Sequence, residues 1–153
     1  MWRIFGEIFC GDKDRFFNYK TKRIDKAGIQ KILTEHKIGI GETVIEAIRT
    51  KDNASDKFLE IVKRVDLSAL FSKIPDCREL VTTGEKAASV IAGLTCTKIP
   101  KVGEFAGCEC EMPDGSARNF RHWRMPSTSR AYPMKLEEKT AFYKNMFRII
   151  GII

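Results

Sequence analysis

Histidine is scarce in this chain, which has only His36 and His122 among its 153 residues. Long apolar runs are also missing: residues 149–153, the longest run near an end, fall far short of the ~20 residues of a membrane span. The opening Met1-Trp2-Arg3 lacks the charged-then-apolar pattern of a signal peptide. We therefore expect a protein without a membrane partner and with a cytoplasmic location.

Cysteine is present, but its pattern argues against both disulfides and a metal site. The five cysteines are odd in number and have no signal peptide beside them, so they do not indicate a disulfide framework. Cys108 and Cys110 form one close pair, whereas zinc and iron–sulfur sites usually need four ligands. We expect no metal and no other cofactor, and predict that the two thiols face the same side of a strand.

The composition is that of an ordinary globular domain, with 43% hydrophobic and 31% charged residues. A chain of this length buries one sizeable core. No internal repeat, low-complexity tract or linker interrupts it. The sequence therefore predicts a single domain over residues 1–153.

Positive charge is concentrated near the C-terminal end. Residues 117–148 contain eight Lys or Arg against two Glu, a local charge of +6, whereas residues 1–116 contain 19 against 18, or +1. Such a local excess attracts polyanions, and nucleic acid before others. The alternative is a basic helix that is merely solvated.

Apolar periodicity and caps predict several helices. Asp25 is suited to cap a helix in which Ile29, Ile32 and Leu33 form the buried stripe. Residues 57–65 fit a helix or a strand. The other predicted helices are 2–9, 43–49, 67–73, 85–92 and 136–150, the last with its apolar face formed by Leu136, Tyr143, Met146, Phe147 and Ile150.

Strand signals complete an α/β pattern. Residues 77–82 predict a buried strand that turns at Gly84 into a helix, which is how parallel α/β sheets are built. The turn sequence Pro113-Asp114-Gly115-Ser116 separates residues 104–112 from 117–125 and predicts two antiparallel strands.

Two loops follow the predicted strands, at the edge where open parallel sheets bind ligands. One is 82–86, which is not a Walker A loop. The other is 125–130, which has hydroxyls, free backbone amides, an arginine and a following helix. Small hydroxyl residues allow close approach to a phosphate backbone and donate to its oxygens. The alternative is a hydroxyl-rich loop with no ligand.

The second loop also carries a family resemblance. The run RMPSTSRAY at 124–132, followed by a Leu-Glu-Glu-Lys helix, resembles the second conserved motif of the uracil-DNA glycosylase superfamily. It is most similar to the mismatch-specific and hypoxanthine-DNA glycosylase-like branch, where the motif reads approximately LPSTSPAN. Three more segments resemble that branch in order and spacing: the GIG turn at 39–41, VTTGEKA at 81–87 and WRIF at 2–5.

The resemblance implies a three-layer α/β/α sandwich around a mainly parallel central sheet. It implies a base-excision repair enzyme that flips a uracil-like or hypoxanthine-like base out of duplex DNA and hydrolyses its N-glycosidic bond without a metal. Ser127 and Ser129 match the phosphate-contacting positions, and Arg130 to Tyr132 match the wedge. The implied DNA-binding residues are Ser127, Thr128, Ser129, Arg130, Tyr132 and Lys135.

The chain also departs from the family pattern. The family's first motif, which positions the attacking water, precedes the helix that stands here at 2–9. We therefore expect an N-terminally truncated domain that lacks the first strand and excises feebly or not at all. An unpaired sheet edge would then invite a homodimer.

No catalytic residue is assigned by the sequence. The polar candidates near loops are His122, Glu42, Asp52 and Asp56. Met125 stands where some branches have a histidine, and a thioether does not donate a hydrogen bond. Two alternatives remain open: a catalytically inactive DNA-binding remnant of the family, and a small α/β module that binds nucleotides or RNA.

Overall fold

A computed structural model describes residues 1–49 and 59–153. Over these residues the protein is mixed α/β, with five helices and three small sheets. The chain divides into two compact units, one of Met1–Ile40 with Pro126–Ile153 and one of Gly41–Met125. None of the helices in the described ranges has the length and apolar character needed to cross a membrane.

The first unit contains three helices and one short hairpin. Its elements are α1 (Trp2–Cys10), β1 (Phe17–Asn18), β2 (Arg23–Ile24), α2 (Lys26–Glu35) and α5 (Leu136–Ile149). The predicted cap of α2 is confirmed, because the Asp25 carboxylate accepts a hydrogen bond from the Gly28 N–H at 2.9 Å. Helix α1 packs on α5, where the rings of Phe5 and Phe9 lie 5.7 and 5.3 Å from that of Phe147.

The second unit contains two sheets and two helices. Its elements are β3 (Val44–Arg49), β4 (Leu59–Arg64), α3 (Leu67–Lys73), β5 (Glu79–Thr83), α4 (Glu85–Leu94), β6 (Phe105–Glu111) and β7 (Ala117–Met125). Strands β3 and β4 form a separate antiparallel pair. The other sheet has the order β5-β7-β6.

The three-stranded sheet is mixed rather than uniformly parallel. Strand β5 runs parallel to β7, with Leu80 opposite His122, and β6 runs antiparallel to β7, with Cys108 opposite Phe120. The two antiparallel strands predicted on either side of the turn at residues 113–116 are therefore confirmed. The thiols of Cys108 and Cys110 occupy alternate positions of β6, as predicted.

One face of this sheet carries the core of the second unit. Helices α3 and α4 pack against it. The buried cluster consists of Leu67, Phe71, Ile91, Cys108 and Phe120. Asp66 caps α3 by accepting from the Ala69 N–H at 2.9 Å, which explains why that helix begins at the predicted residue.

The predicted helix at 43–49 is wrong, because these residues form strand β3. Over so short a segment, the spacing of the apolar residues fits both a helix and a strand. Pairing with β4 makes the segment a strand. The ambiguous segment 57–65 is resolved as a strand over Leu59–Arg64, and its first two residues lie outside the described part of the chain.

Candidate nucleic-acid interface

The loop at residues 126–135, here called the serine loop, joins β7 to α5. Its first residue is fixed by a tyrosine of the helix that follows, since the Tyr143 hydroxyl donates to the Pro126 carbonyl at 3.0 Å. Tyr143 is almost fully buried, and this burial raises the pKa of its phenol. The hydroxyl therefore keeps its proton and remains a donor.

Two consecutive serine turns shape the middle of the loop. Ser127 Oγ accepts from the Ser129 N–H, and Ser129 Oγ accepts from the Ala131 N–H, both at 3.2 Å. Each serine is thus used as an acceptor and keeps its own O–H proton for a ligand. The expectation of free backbone amides needs correction at Ser129 and Ala131, because these N–H groups are already bonded.

Lys139 anchors the loop from helix α5. Its ammonium donates to the Ser129 carbonyl at 2.6 Å and lies 5.3 Å from the centre of the Tyr132 ring. Only 5% of Lys139 is exposed. Burial, together with the nearby Lys139 charge, lowers the pKa of the Met1 amino group, so Lys139 also lies near the start of the chain.

Lys139 is one of the eight basic residues summed at 117–148, and that sum does not predict its structural role. The signal was present: Lys139 lies four residues before Tyr143 and seven before Met146, which places it in the apolar stripe of α5. A lysine at such a position is buried along its stem and needs a partner for its ammonium.

The implied DNA-binding residues divide into two groups. Ser127, Ser129 and Tyr132 are brought together by the turns and by Lys139. Arg130 and Lys135 are exposed, and neither has a partner among residues 1–49 and 59–153. Thr128 is half-buried, and its side chain makes no hydrogen bond within those ranges.

The positive segment at 117–148 presents fewer free charges than its composition suggests. Arg121 donates to both carboxylate oxygens of Glu79, and one of them, Oε2, also accepts from the Trp123 indole N–H at 2.7 Å. Arg124 donates to Glu85 at 3.2 Å and to the Pro100 carbonyl at 3.3 Å. Four cations of the segment remain exposed and unpaired over the described residues: Arg130, Lys135, Lys144 and Arg148.

Arg118 is likewise engaged. Its guanidinium donates to the Cys77 carbonyl at 2.7 Å and to the Ile74 carbonyl at 3.3 Å, and lies 4.9 Å from the Phe71 ring centre. These contacts cap the end of α3. Within residues 117–148, the charge available to a polyanion therefore belongs to the serine loop and α5 rather than to strand β7.

His122 is a structural histidine. It has 0% exposure, and burial lowers its pKa to about 4. The neutral ring is in contact with Thr82 at 2.9 Å through Nε2. A group so enclosed does not meet a substrate in this structure.

The other polar candidates do not form a catalytic group. Glu42 is exposed, and Asp52 and Asp56 lie outside the described residues. In the loop at 82–86, Gly84 is the N-cap residue of α4 and has a φ of 92°. The Thr82 hydroxyl is already hydrogen-bonded to His122. Among residues 1–49 and 59–153, no three His, Cys, Asp or Glu side chains are grouped to hold a metal ion.

Comparison with known proteins adds no family assignment. The chain matches no protein-family model, no curated protein and no solved structure.

Proposed function

We propose that this protein binds duplex DNA through the serine loop, in the manner of the uracil-DNA glycosylase superfamily that its sequence resembles. The ligand is a duplex with a damaged or mismatched base. The associated reaction is flipping of that base and hydrolysis of its N-glycosidic bond. The three-layer α/β/α sandwich of that family belongs to the same proposal, and the parallel β5–β7 pair supports it.

The observation that carries the proposal is the tandem serine turn beside two free cations. Ser127 and Ser129 accept from backbone amides and keep their O–H protons to donate to phosphate oxygens. Arg130 and Lys135 are exposed and lie one and six residues after Ser129 in the chain. Because Lys139 and Tyr143 fix the loop from α5, its donors are preorganised and little ordering entropy is lost on binding.

Two features of the three-stranded sheet support a second candidate function, DNA binding without excision. The only histidine on the three-stranded sheet over the described residues, His122, is buried and neutral. Met125 is fully buried and offers no donor. A non-catalytic DNA-binding protein is accordingly the second candidate function.

The binding test uses fluorescence anisotropy with a duplex containing one U·G mismatch. Replacing Ser127 and Ser129 together by Ala removes two donors to charged oxygens, so we expect affinity to fall by at least about tenfold. Ser72→Ala is the matched control, since that hydroxyl only donates to the Ser68 carbonyl on α3. Equal affinity of the double variant and the control would contradict binding through the serine loop.

Excision is measured separately, by single-turnover assays on U·G and I·T duplexes. Base release that exceeds the protein-free rate and is lost in the Ser127/Ser129 variant supports the enzyme. Binding without release supports the non-catalytic candidate. The absence of both binding and release would overturn the proposed function.

Self-association through a sheet edge is a further part of the proposal. Strand β5 pairs only with β7 in the described part of the chain, and Val81 on it is 36% exposed. Such an edge is suited to pairing with a second copy. Sedimentation equilibrium tests this, and a purely monomeric mass at every concentration would contradict it.

A further inference from the structure

The β1–β2 hairpin exposes two aromatic rings to solvent. Phe17 is 36% exposed and Tyr19 is 61% exposed, and their centroids lie 4.8 Å apart at an interplanar angle of 80°. Ile24, opposite Phe17 across the hairpin, is 47% exposed. Aromatic side chains bring large contact area at small entropic cost, so an exposed pair of this kind is suited to binding a flat ligand.

The hairpin holds these rings in place. The Tyr19 hydroxyl donates to Asp14 at 2.8 Å, and this hydrogen bond raises the pKa of the phenol. The Asn18 side chain accepts from the N–H groups of Lys20 and Thr21, at 3.0 and 3.1 Å, and so shapes the turn. The rings are thus presented in a defined arrangement before any ligand arrives.

The surroundings of the rings are strongly positive. Residues 12–26 contain six Lys or Arg against three Asp. The three acids are engaged: Asp12 by the Asp14 N–H, Asp14 by Arg3 and Asp25 by Arg15. The cations that are exposed and without a partner over residues 1–49 and 59–153 are Lys13, Lys20, Lys22, Arg23 and Lys26.

Both rings and one free cation, Lys20, line a single open cleft, and Lys22 and Arg23 follow in the same hairpin. The cleft has a volume of about 590 Å³ and is lined by Arg15, Phe17, Asn18, Tyr19, Lys20 and Asp25. Aromatic faces beside free cations are the combination that binds unpaired nucleotides, because bases stack on the rings while phosphates meet the charges. A paired duplex hides its base faces and gives the rings nothing to stack on.

We propose that the β1–β2 hairpin is a second nucleic-acid contact, specific for unpaired DNA, in which bases stack on Phe17 and Tyr19. Lys20, Lys22 and Arg23 neutralise the adjoining phosphates. This site goes beyond the serine loop and does not use its residues. The choice of DNA over RNA rests on the proposed function, whereas the preference for unpaired bases rests on the hairpin alone.

The test compares two single strands of the same length and charge. One is oligo(dT) of twelve nucleotides, and the other is an abasic strand with the same phosphates and no bases. We expect the wild-type protein to bind oligo(dT) at least about fivefold more tightly, because stacking on one ring supplies that factor. Phe17→Ala with Tyr19→Ala is expected to abolish the difference and to leave abasic-strand binding unchanged.

Two variants separate stacking from other effects. Tyr19→Phe keeps the ring and is expected to keep the preference for oligo(dT), whereas Ile24→Ala removes an exposed apolar side chain without a ring and is expected to change nothing. Tyr19→Trp gives a second measurement, because a stacked thymine quenches its fluorescence. Equal affinity of the wild-type protein for both strands would overturn the proposal, since it shows attraction by charge alone.

Failure of this site and failure of the serine loop are distinguishable. The Phe17/Tyr19 variant is expected to bind the U·G duplex as the wild type does. The Ser127/Ser129 variant is expected to retain its preference for oligo(dT) over the abasic strand. Loss of duplex affinity in the Phe17/Tyr19 variant, to the same extent as loss of oligo(dT) affinity, would contradict a site specific for unpaired bases.

Discussion

The hydroxyl of Thr82 decides which nitrogen of His122 carries the proton. Thr82 Oγ1 donates to the Trp123 carbonyl at 3.0 Å, and a hydroxyl has only one proton to give. The Thr82 oxygen lies 2.9 Å from His122 Nε2, and it must therefore accept a hydrogen bond from an Nε2–H group. This leaves Nδ1 unprotonated and buried, with no partner in the described part of the chain.

Removing the Thr82 hydroxyl is expected to destabilise the protein. Thr82→Val leaves the buried Nε2–H of His122 without its acceptor, and a buried unsatisfied group costs about 1–3 kcal/mol. Thr82→Ser keeps the hydroxyl and serves as the control. Urea unfolding measures both, and a Val variant as stable as the Ser variant would contradict the proposed network.

The free energy of unfolding is expected to decrease as the pH is lowered from about 6.5 to about 4. The unfolded His122 binds a proton near its ordinary pKa of 6.5, whereas burial lowers the pKa of the folded group to about 4. In this window the unfolded state holds more protons, so the free energy of unfolding decreases as the pH falls, by about 3 kcal/mol in all.

The measurement is urea unfolding at a series of pH values for the wild type and for His122→Gln. The difference between the two curves isolates this one group from the carboxylates that titrate in the same range. Parallel curves between pH 6.5 and 4 would show that His122 does not bind its proton differently in the two states.

Loss of the Lys139 ammonium is expected to loosen the serine loop more than it destabilises the fold. Lys139→Met keeps the buried stem but removes the donor to Ser129 and the charge over Tyr132. Replacing a buried charge by an apolar side chain is often close to neutral in stability. Hydrogen exchange at the amides of Ser129, Ala131 and Tyr132 should become faster, because their hydrogen bonds hold the loop.

Lys144→Met is the matched variant for Lys139→Met. It lies on the same helix, is exposed and has no contact with the loop. Equal exchange rates in the two variants would mean that Lys139 does not anchor the serine loop.

The salt dependence of duplex binding should identify which of the exposed cations contact the DNA. Each cation that neutralises a phosphate contributes about 0.9 to the slope of log affinity against log salt. Replacing Arg130 and Lys135 by Ala is therefore expected to reduce the slope by about 1.8. Lys144→Ala with Arg148→Ala removes the same charge from the far part of α5, and an equal reduction there would show that the loop is not the contact.

Most elements of the fold were predictable from local sequence. The cap at Asp25, the turn at 113–116 and the stripe of α5 each act within a few neighbouring residues, and each is where the sequence placed it. The strand–glycine–helix order at 77–92 indicated a parallel sheet, and strand β5 does pair in parallel, with β7. The serine loop was identifiable as a candidate site, because its residue types and its place after a strand are sequence properties.

Partners far apart in sequence decided the rest. Arg121 pairs with Glu79, which is 42 residues away in the chain. Arg118 donates to the carbonyl of Cys77, 41 residues away. These two cations are therefore engaged, although composition alone counts them as free. Strand β3 is a strand because β4 supplies its hydrogen bonds, and its own short apolar pattern is compatible with either period. The sequence by itself determined the local elements and the chemistry of the serine loop. Only the tertiary structure determined which charges face solvent and that His122 is buried and neutral, because desolvation and pairing depend on residues that folding alone brings together.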